Sequence, residues 1–167
     1  MSSSLRVPAM AALMALSCAA GPALAERPLW TPIAELLVGS LGESDPQQLS
    51  DVMTRCTALS MTLSGLTESF SPEIAQLYKS QANRFIEHTL RIESQQYWQL
   101  TGEEMSAEDL EAATLEELKM MIVGYSDWMD QNINDGGSLF DKNIELDMQS
   151  CQIATRLVAQ LPPLSSQ

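Results

Sequence analysis

The chain of 167 residues carries 22 acidic and nine basic side chains, giving a formal charge of −13 at pH 7. A protein this acidic is repelled by phosphate backbones and anionic lipid surfaces, so nucleic acid and direct membrane binding are poor functional hypotheses. The length suits one domain with a sizeable core but is short for two, and a single histidine excludes a histidine-rich zinc site.

The first 25 residues differ from the rest of the chain. Arg6 is their only charged residue, the run from Val7 to Ala20 is almost wholly apolar, and Ala23-Leu24-Ala25 gives a small-x-small pattern before Glu26. This organisation is typical of a secretory signal peptide. We therefore expect residues 1–25 to be cleaved.

Two alternatives exist for this segment. Its apolar core of about 14 residues is shorter than the roughly 20 that a membrane-spanning helix needs. Cys18 suggests a lipid anchor, but Ala15 stands where the bacterial lipoprotein motif usually has leucine. Cleavage leaves residues 26–167 with a formal charge of −14, and we expect them in the periplasm or outside the cell.

Two cysteines, Cys56 and Cys151, remain after cleavage. An exported chain with an even number of cysteines favours a disulfide, and each of these two lies on an apolar helical stripe. In the chain-entropy model, a bond that closes a loop of about 95 residues stabilises the fold by roughly 4 to 5 kcal/mol. We therefore predict a structural Cys56–Cys151 disulfide.

The first two predicted helices begin at clear capping signals. Thr31 followed by Pro32 predicts a short helix that ends near residues 39–42. A longer helix is predicted over residues 45–66, with Asp45 as its cap, and we expect the rest of the chain to pack on it. The apolar positions are Ile33, Leu36, Leu37 and Leu41 in the first helix and Leu49, Val52, Cys56, Leu59, Leu63 and Leu66 in the second.

A third helix is predicted from Ser71-Pro72-Glu73 to a stop at Gly102. Its pattern weakens near Tyr97. The residues expected on its buried side are Ile74, Leu77, Tyr78, Ala82, Phe85, Thr89 and Ile92. Those expected to face outward are Arg84, Glu87, Arg91 and Glu93.

The remaining chain predicts one long helix and a final helix separated by a polar break. The long helix starts at Ser106 or, after a short preceding helix, at Thr114, since each offers a capping box. The sequence NINDGG at 132–137 ends it, and Ser138 is the expected cap of the last helix, which Pro162-Pro163 terminates. The apolar positions are Leu110, Leu118, Met121, Ile122, Tyr125 and Met129, then Ile144, Met148, Cys151, Ala154, Val158 and Leu161.

No stretch alternates with the period of two that indicates a strand. The sequence therefore predicts an all-α fold, a helical bundle of four long helices plus one short N-terminal helix, stapled by one disulfide. We expect residues 26–163 to form a single domain and residues 164–167 to be a short flexible tail.

Two acidic segments could bind cations. The run at 103–117 holds seven acids, most of them in the first turns of helices where the dipole favours them, and we interpret it as a solvated face. Residues 130–141 are similar to a calcium loop of the EF-hand type, but Asp135 occupies the place where that loop requires glycine, and Gly136 comes one residue late. A polar turn between helices is the favoured interpretation.

Three further positions could carry chemistry. His88 with a methionine would suit a haem site in a cytochrome b562-like bundle, although Met121, Met129 and Met148 fit core packing better. A redox-active cysteine pair is disfavoured because Cys56 and Cys151 lack the CxxC spacing. Arg55 is expected to pair with an acid at the rim of the core.

Three tryptophans, Trp30, Trp98 and Trp128, lie in the N-terminal lead or near predicted helix ends. Aromatic residues at such places pack loops against a bundle, and they also anchor partner proteins. Packing is the favoured interpretation, and the three remain candidate partner contacts.

The sequence shows no catalytic constellation, so we predict no catalytic residue, no metal ligand and no cofactor. The favoured function is that of a non-catalytic exported protein acting through protein contact, such as an assembly factor, an inhibitor or an envelope accessory protein. Its partner would be another envelope or secreted protein. The alternative is a bundle that binds a small ligand, a metal or haem between its helices.

Overall fold

The structure, a computed structural model, describes residues 31–43 and 45–159. The predicted signal peptide, Cys18, Trp30, Leu161 and the tail lie outside the described residues. Within the described ranges the chain forms five helices and no strand, which confirms the predicted all-α bundle of four long helices and a short first one. The helices are α1 (Ile33–Glu43), α2 (Pro46–Thr67), α3 (Pro72–Thr101), α4 (Ala107–Asn134) and α5 (Lys142–Val158).

Helix α2 is the centre of the bundle and contacts each of the other four helices. Every residue from Val52 to Ser60 is buried, so α2 is surrounded and does not present a single apolar stripe to a core. Three of its buried polar side chains are satisfied within the helix, because Thr54, Thr57 and Thr62 each donate a hydrogen bond to the carbonyl four residues earlier. The predicted stripe is buried in its middle, whereas Leu49 at its start is partly buried and Leu66 at its end is 40% exposed.

The first helix and the fourth differ in how their starts are capped. Helix α4 is a single helix, since the Ser106 hydroxyl accepts a hydrogen bond from the Asp109 amide and Thr114 lies buried inside the helix. Helix α1 begins at Ile33, one residue later than predicted, and the Ile33 amide donates to the carboxylate of Asp147. The cap of α1 therefore comes from α5.

Four other predicted helix ends can be compared with the structure. Asp45 caps α2, and Gly102 ends α3 in the left-handed conformation, with φ of 72°, as expected. Ser71 precedes α3 but makes no side-chain capping bond. The prediction of Ser138 as the cap of α5 is wrong, because Asp141 accepts from the first amides of that helix, those of Asn143 and Ile144.

The buried face of α3 is narrower than predicted. Ile74 and Leu77 are 43% and 70% exposed, whereas Ala75 and Ala82 are buried. Small side chains let α2 approach closely, and the Ser64 hydroxyl donates to the Ala75 carbonyl at this crossing. The prediction of Ile74 and Leu77 as core residues is therefore wrong.

The core joins apolar side chains from all five helices, including Leu37, Leu59, Phe85, Tyr125 and Ile144. Cys56 and Cys151 form a disulfide in this core with their Cα atoms 5.4 Å apart, as the sequence predicted. The bond fastens α5 to the middle of α2. Both residues are almost fully shielded from solvent, which suits a structural cross-link.

We predict that replacing both Cys56 and Cys151 by serine lowers the free energy of unfolding of residues 26–167 by about 2 to 5 kcal/mol, because the unfolded chain loses a cross-link. Chemical denaturation measures the change. Reduced wild-type protein is the matched control and should approach the stability of the double variant. Reaction of both Cys56 and Cys151 with a thiol reagent in denatured, unreduced protein would contradict the disulfide.

Candidate functional site

A buried ion pair lies beside the disulfide. The Arg55 Nη2 and Asp147 Oδ2 atoms are 2.9 Å apart, and the two side chains are only 6% and 4% exposed. Arg55 was expected to pair with an acid at the rim of the core, whereas the Arg55–Asp147 pair lies inside the core. Asp147 was missed, although it lies three residues after Ile144 and four before Cys151, and therefore on the buried stripe of α5.

The Asp147 carboxylate accepts hydrogen bonds from three other helices, α1, α2 and α4. Its Oδ1 atom accepts from the Ile33 amide at 3.1 Å, and its Oδ2 atom accepts from the Tyr125 hydroxyl at 2.8 Å as well as from Arg55. The Arg55 guanidinium also donates to the Thr31 carbonyl. This network joins α1, α2, α4 and α5.

The electrostatics of the network favour a structural role. Burial raises the pKa of the Tyr125 hydroxyl well above its usual value, and the neighbouring Asp147 charge raises it further. Tyr125 therefore stays protonated and donates to Asp147. Because Tyr125, Arg55 and Asp147 are all at least 95% shielded from solvent, a substrate has no direct access to these groups.

A small cavity lies next to the disulfide, between α2, α3 and α5. It has a volume of about 50 Å³ and is lined by residues that include Leu59, Tyr78, Met148 and Cys151. Sites for small molecules and cofactors usually measure about 300 to 1,000 Å³. His88 is half-buried on α3, outside the core cluster that contains Met129. Burial is the main cause that lowers the pKa of His88, and Arg91 adds to this effect.

A second polar cluster joins α2, α3 and α4. Glu93, predicted to face outward, turns inward and accepts hydrogen bonds of 3.0 Å from the hydroxyls of Ser50 and Thr114. The pKa of nearby Glu117 is raised, first by burial and then by the charges of Glu93 and Asp51. In the two described ranges, no group of three or more acidic, histidine or cysteine side chains is arranged to hold a metal ion.

We predict that Glu117→Gln stabilises the protein at neutral pH, because it removes a charge that burial and two neighbouring carboxylates disfavour. The gain should be small, roughly 0.5 kcal/mol or less, since Glu117 is only half-buried and solvent screens its charge. Chemical denaturation at several pH values measures it.

The sign of the pH dependence follows from the raised pKa. In the wild-type protein, protonation of Glu117 contributes to the free energy of unfolding. This contribution is fully present below the ordinary pKa of 4.5, and it is lost as the pH rises through the higher pKa of the folded state. Glu117→Gln should remove this part of the pH dependence. Glu111→Gln changes an exposed acid on the same helix and is the control. Equal effects of the two substitutions would contradict the assignment.

The segment that is similar to a calcium loop does not form one. Helix α4 continues to Asn134, so Asp130, Asn132 and Asn134 are helical. Asp141, at the twelfth place of this segment, is the cap of α5 and also accepts a hydrogen bond of 3.0 Å from the Trp128 indole. The interpretation as a polar turn is confirmed, with Gly136 at φ of 77°.

The described tryptophans have different environments. Trp128 is 8% exposed and stacks on Tyr125 with ring centroids 6.3 Å apart, so it packs in the core and is not available as a partner contact. Trp98 is 57% exposed near the end of α3. Trp98 is therefore the described tryptophan that remains a candidate contact.

Four large apolar side chains project from the turn between α2 and α3, and we call them the hairpin patch: Leu66, Phe70, Ile74 and Leu77. Phe70 and Leu77 are the most exposed of the four, at 72% and 70%. The Phe70 amide donates to the Thr67 carbonyl, so Phe70 lies in the tight turn that follows the end of α2. Ile74 and Leu77 are neighbours on the first turns of α3.

Comparison with known proteins gives no match to a family model, a curated protein or a solved structure. Among the described helices, none is both long enough and apolar enough to cross a membrane. The case for a function therefore depends on the surfaces and the buried groups of this chain.

Proposed function

We propose that the mature domain is a non-catalytic exported protein that acts through contact with another protein, as an assembly factor, an inhibitor or an envelope accessory protein does. The observation that carries this proposal is the hairpin patch. Leu66, Phe70, Ile74 and Leu77 are exposed within twelve residues of chain. Scattered exposed apolar residues are normal on soluble proteins, but a group of them marks an interaction surface.

The local charge supports the use of this patch for protein contact. The chain as a whole is strongly acidic, whereas residues 64–83 contain only Glu68, Glu73 and Lys79 as charged residues. Contact surfaces commonly have few charges at the centre and polar groups at the rim. The hairpin patch has this composition.

The proposed compartment is the periplasm or the extracellular space. The Cys56–Cys151 disulfide and the described helices, none of which could span a membrane, are compatible with export. The signal-like sequence of residues 1–25 supports the same proposal. The partner would then be another envelope or secreted protein. The alternative of a ligand or haem between the helices has less support, because the cavity beside the disulfide measures only about 50 Å³.

Site-specific photo-crosslinking in the native cells tests the proposal. A photoreactive amino acid at Leu77, in the hairpin patch, should give one discrete cross-linked product. The same amino acid at Asn83, an exposed residue two turns further along α3, is the matched control and should not give that product.

A second substitution checks that the patch itself is responsible. Phe70→Ser should abolish the product formed from position 77 without changing the unfolding free energy by more than about 0.5 kcal/mol, because Phe70 is exposed. Equal cross-linking from positions 77 and 83, or a product that Phe70→Ser leaves intact, would contradict the proposal.

A further inference from the structure

The end of α3 carries a second exposed surface, separate from the hairpin patch. An open groove is lined by Ser94, Gln95, Trp98, Gln99, Glu104 and Met105, and we call it the Trp98 groove. Gly102 ends α3 in the left-handed conformation, with φ of 72°, and the chain then turns so that Glu104 and Met105 line the groove together with Trp98. Trp98 is 57% exposed, and Met105 is partly buried.

The chain around this groove is predominantly acidic. Residues 91–119 contain eight acidic residues and two basic ones, Arg91 and Lys119, at the two ends of this range. Glu93 turns inward, whereas the acids that follow Trp98 as far as residue 111 are solvent-exposed: Glu103, Glu104, Glu108, Asp109 and Glu111. A concave surface with charges of one sign focuses the field and attracts ligands of the opposite sign.

The two features together define the chemistry of a ligand. The Trp98 ring and Met105 provide apolar surface in the groove, and an indole ring also attracts lysine and arginine through its π face. The exposed carboxylates favour a positively charged ligand. A second copy of this chain would bring a charge of the same sign to the groove and is disfavoured. We propose that the Trp98 groove binds a basic amphipathic segment of another protein, with apolar side chains on Trp98 and Met105 and lysine or arginine beside the carboxylates.

This inference shares with the proposed function only the premise of protein contact. It concerns different residues, at the end of α3 opposite to the hairpin patch. Loss of binding at one surface therefore leaves the other surface testable.

Fluorescence anisotropy with a defined probe tests the inference. The probe is a fluorescein-labelled peptide of 14 residues with leucine on one helical face and lysine on the other, and its counterpart has glutamate in place of lysine. The lysine peptide should bind the mature protein, with an affinity that falls as salt increases, and the glutamate peptide should not bind. Failure of the lysine peptide to bind at millimolar protein concentration would overturn the inference.

Matched variants distinguish binding at the Trp98 groove from nonspecific attraction to the negative charge of the whole protein. Trp98→Ala should weaken binding at least tenfold, and so should Glu103→Gln combined with Glu104→Gln. The control is Glu87→Gln combined with Glu145→Gln, which removes the same charge from exposed sites elsewhere and should change the affinity less than twofold. Equal effects of the two charge changes would show nonspecific attraction and overturn the inference.

Sedimentation of the protein without peptide tests whether a second copy of the chain occupies the Trp98 groove instead of a basic segment. We expect a monomer at the concentrations used for the binding measurements. A dimer that Trp98→Ala dissociates would assign the groove to a second copy of the chain and would also overturn the inference.

Discussion

The buried ion pair between Arg55 and Asp147 is the interaction on which the rest of the bundle depends. A carboxylate in the core is costly unless its oxygens are paired, and Asp147 is paired only when α1, α2 and α4 all supply their donors. A helix that slid or rotated would leave a buried charge without its partner. We therefore interpret the network as the element that fixes the relative positions of these helices, and the disulfide from Cys151 as a second connection one turn further along α5.

The burial of α2 explains why apolar surface remains exposed elsewhere. Helix α2 has neighbours on all sides, and its approach to α3 takes place over Ala75 and Ala82. The wider apolar face of α3 is therefore not covered in its first turns, where Ile74 and Leu77 stay in solvent. The same packing that surrounds α2 thus leaves exposed the surface on which the proposed protein contact depends.

The sequence was informative where a signal is local. Asp45, Ser106 and Gly102 act on amides or carbonyls within a few residues, and their roles were predictable from capping chemistry. The sequence could not decide which part of an apolar face would be covered, because that depends on a neighbouring helix distant in sequence. The same limit explains Asp147, whose position on a buried stripe was visible, but whose donors come from residues 22 to 114 positions away.

A double-mutant cycle for Arg55 and Asp147 tests the central claim most directly. The variants are Arg55→Met, Asp147→Leu and their combination, measured by chemical denaturation with the disulfide intact. Each single substitution leaves one buried charge without its partner and should cost about 3 to 5 kcal/mol. The double variant leaves neither charge and should cost clearly less than the sum, with a coupling energy of at least about 2 kcal/mol. Additive losses would contradict the account.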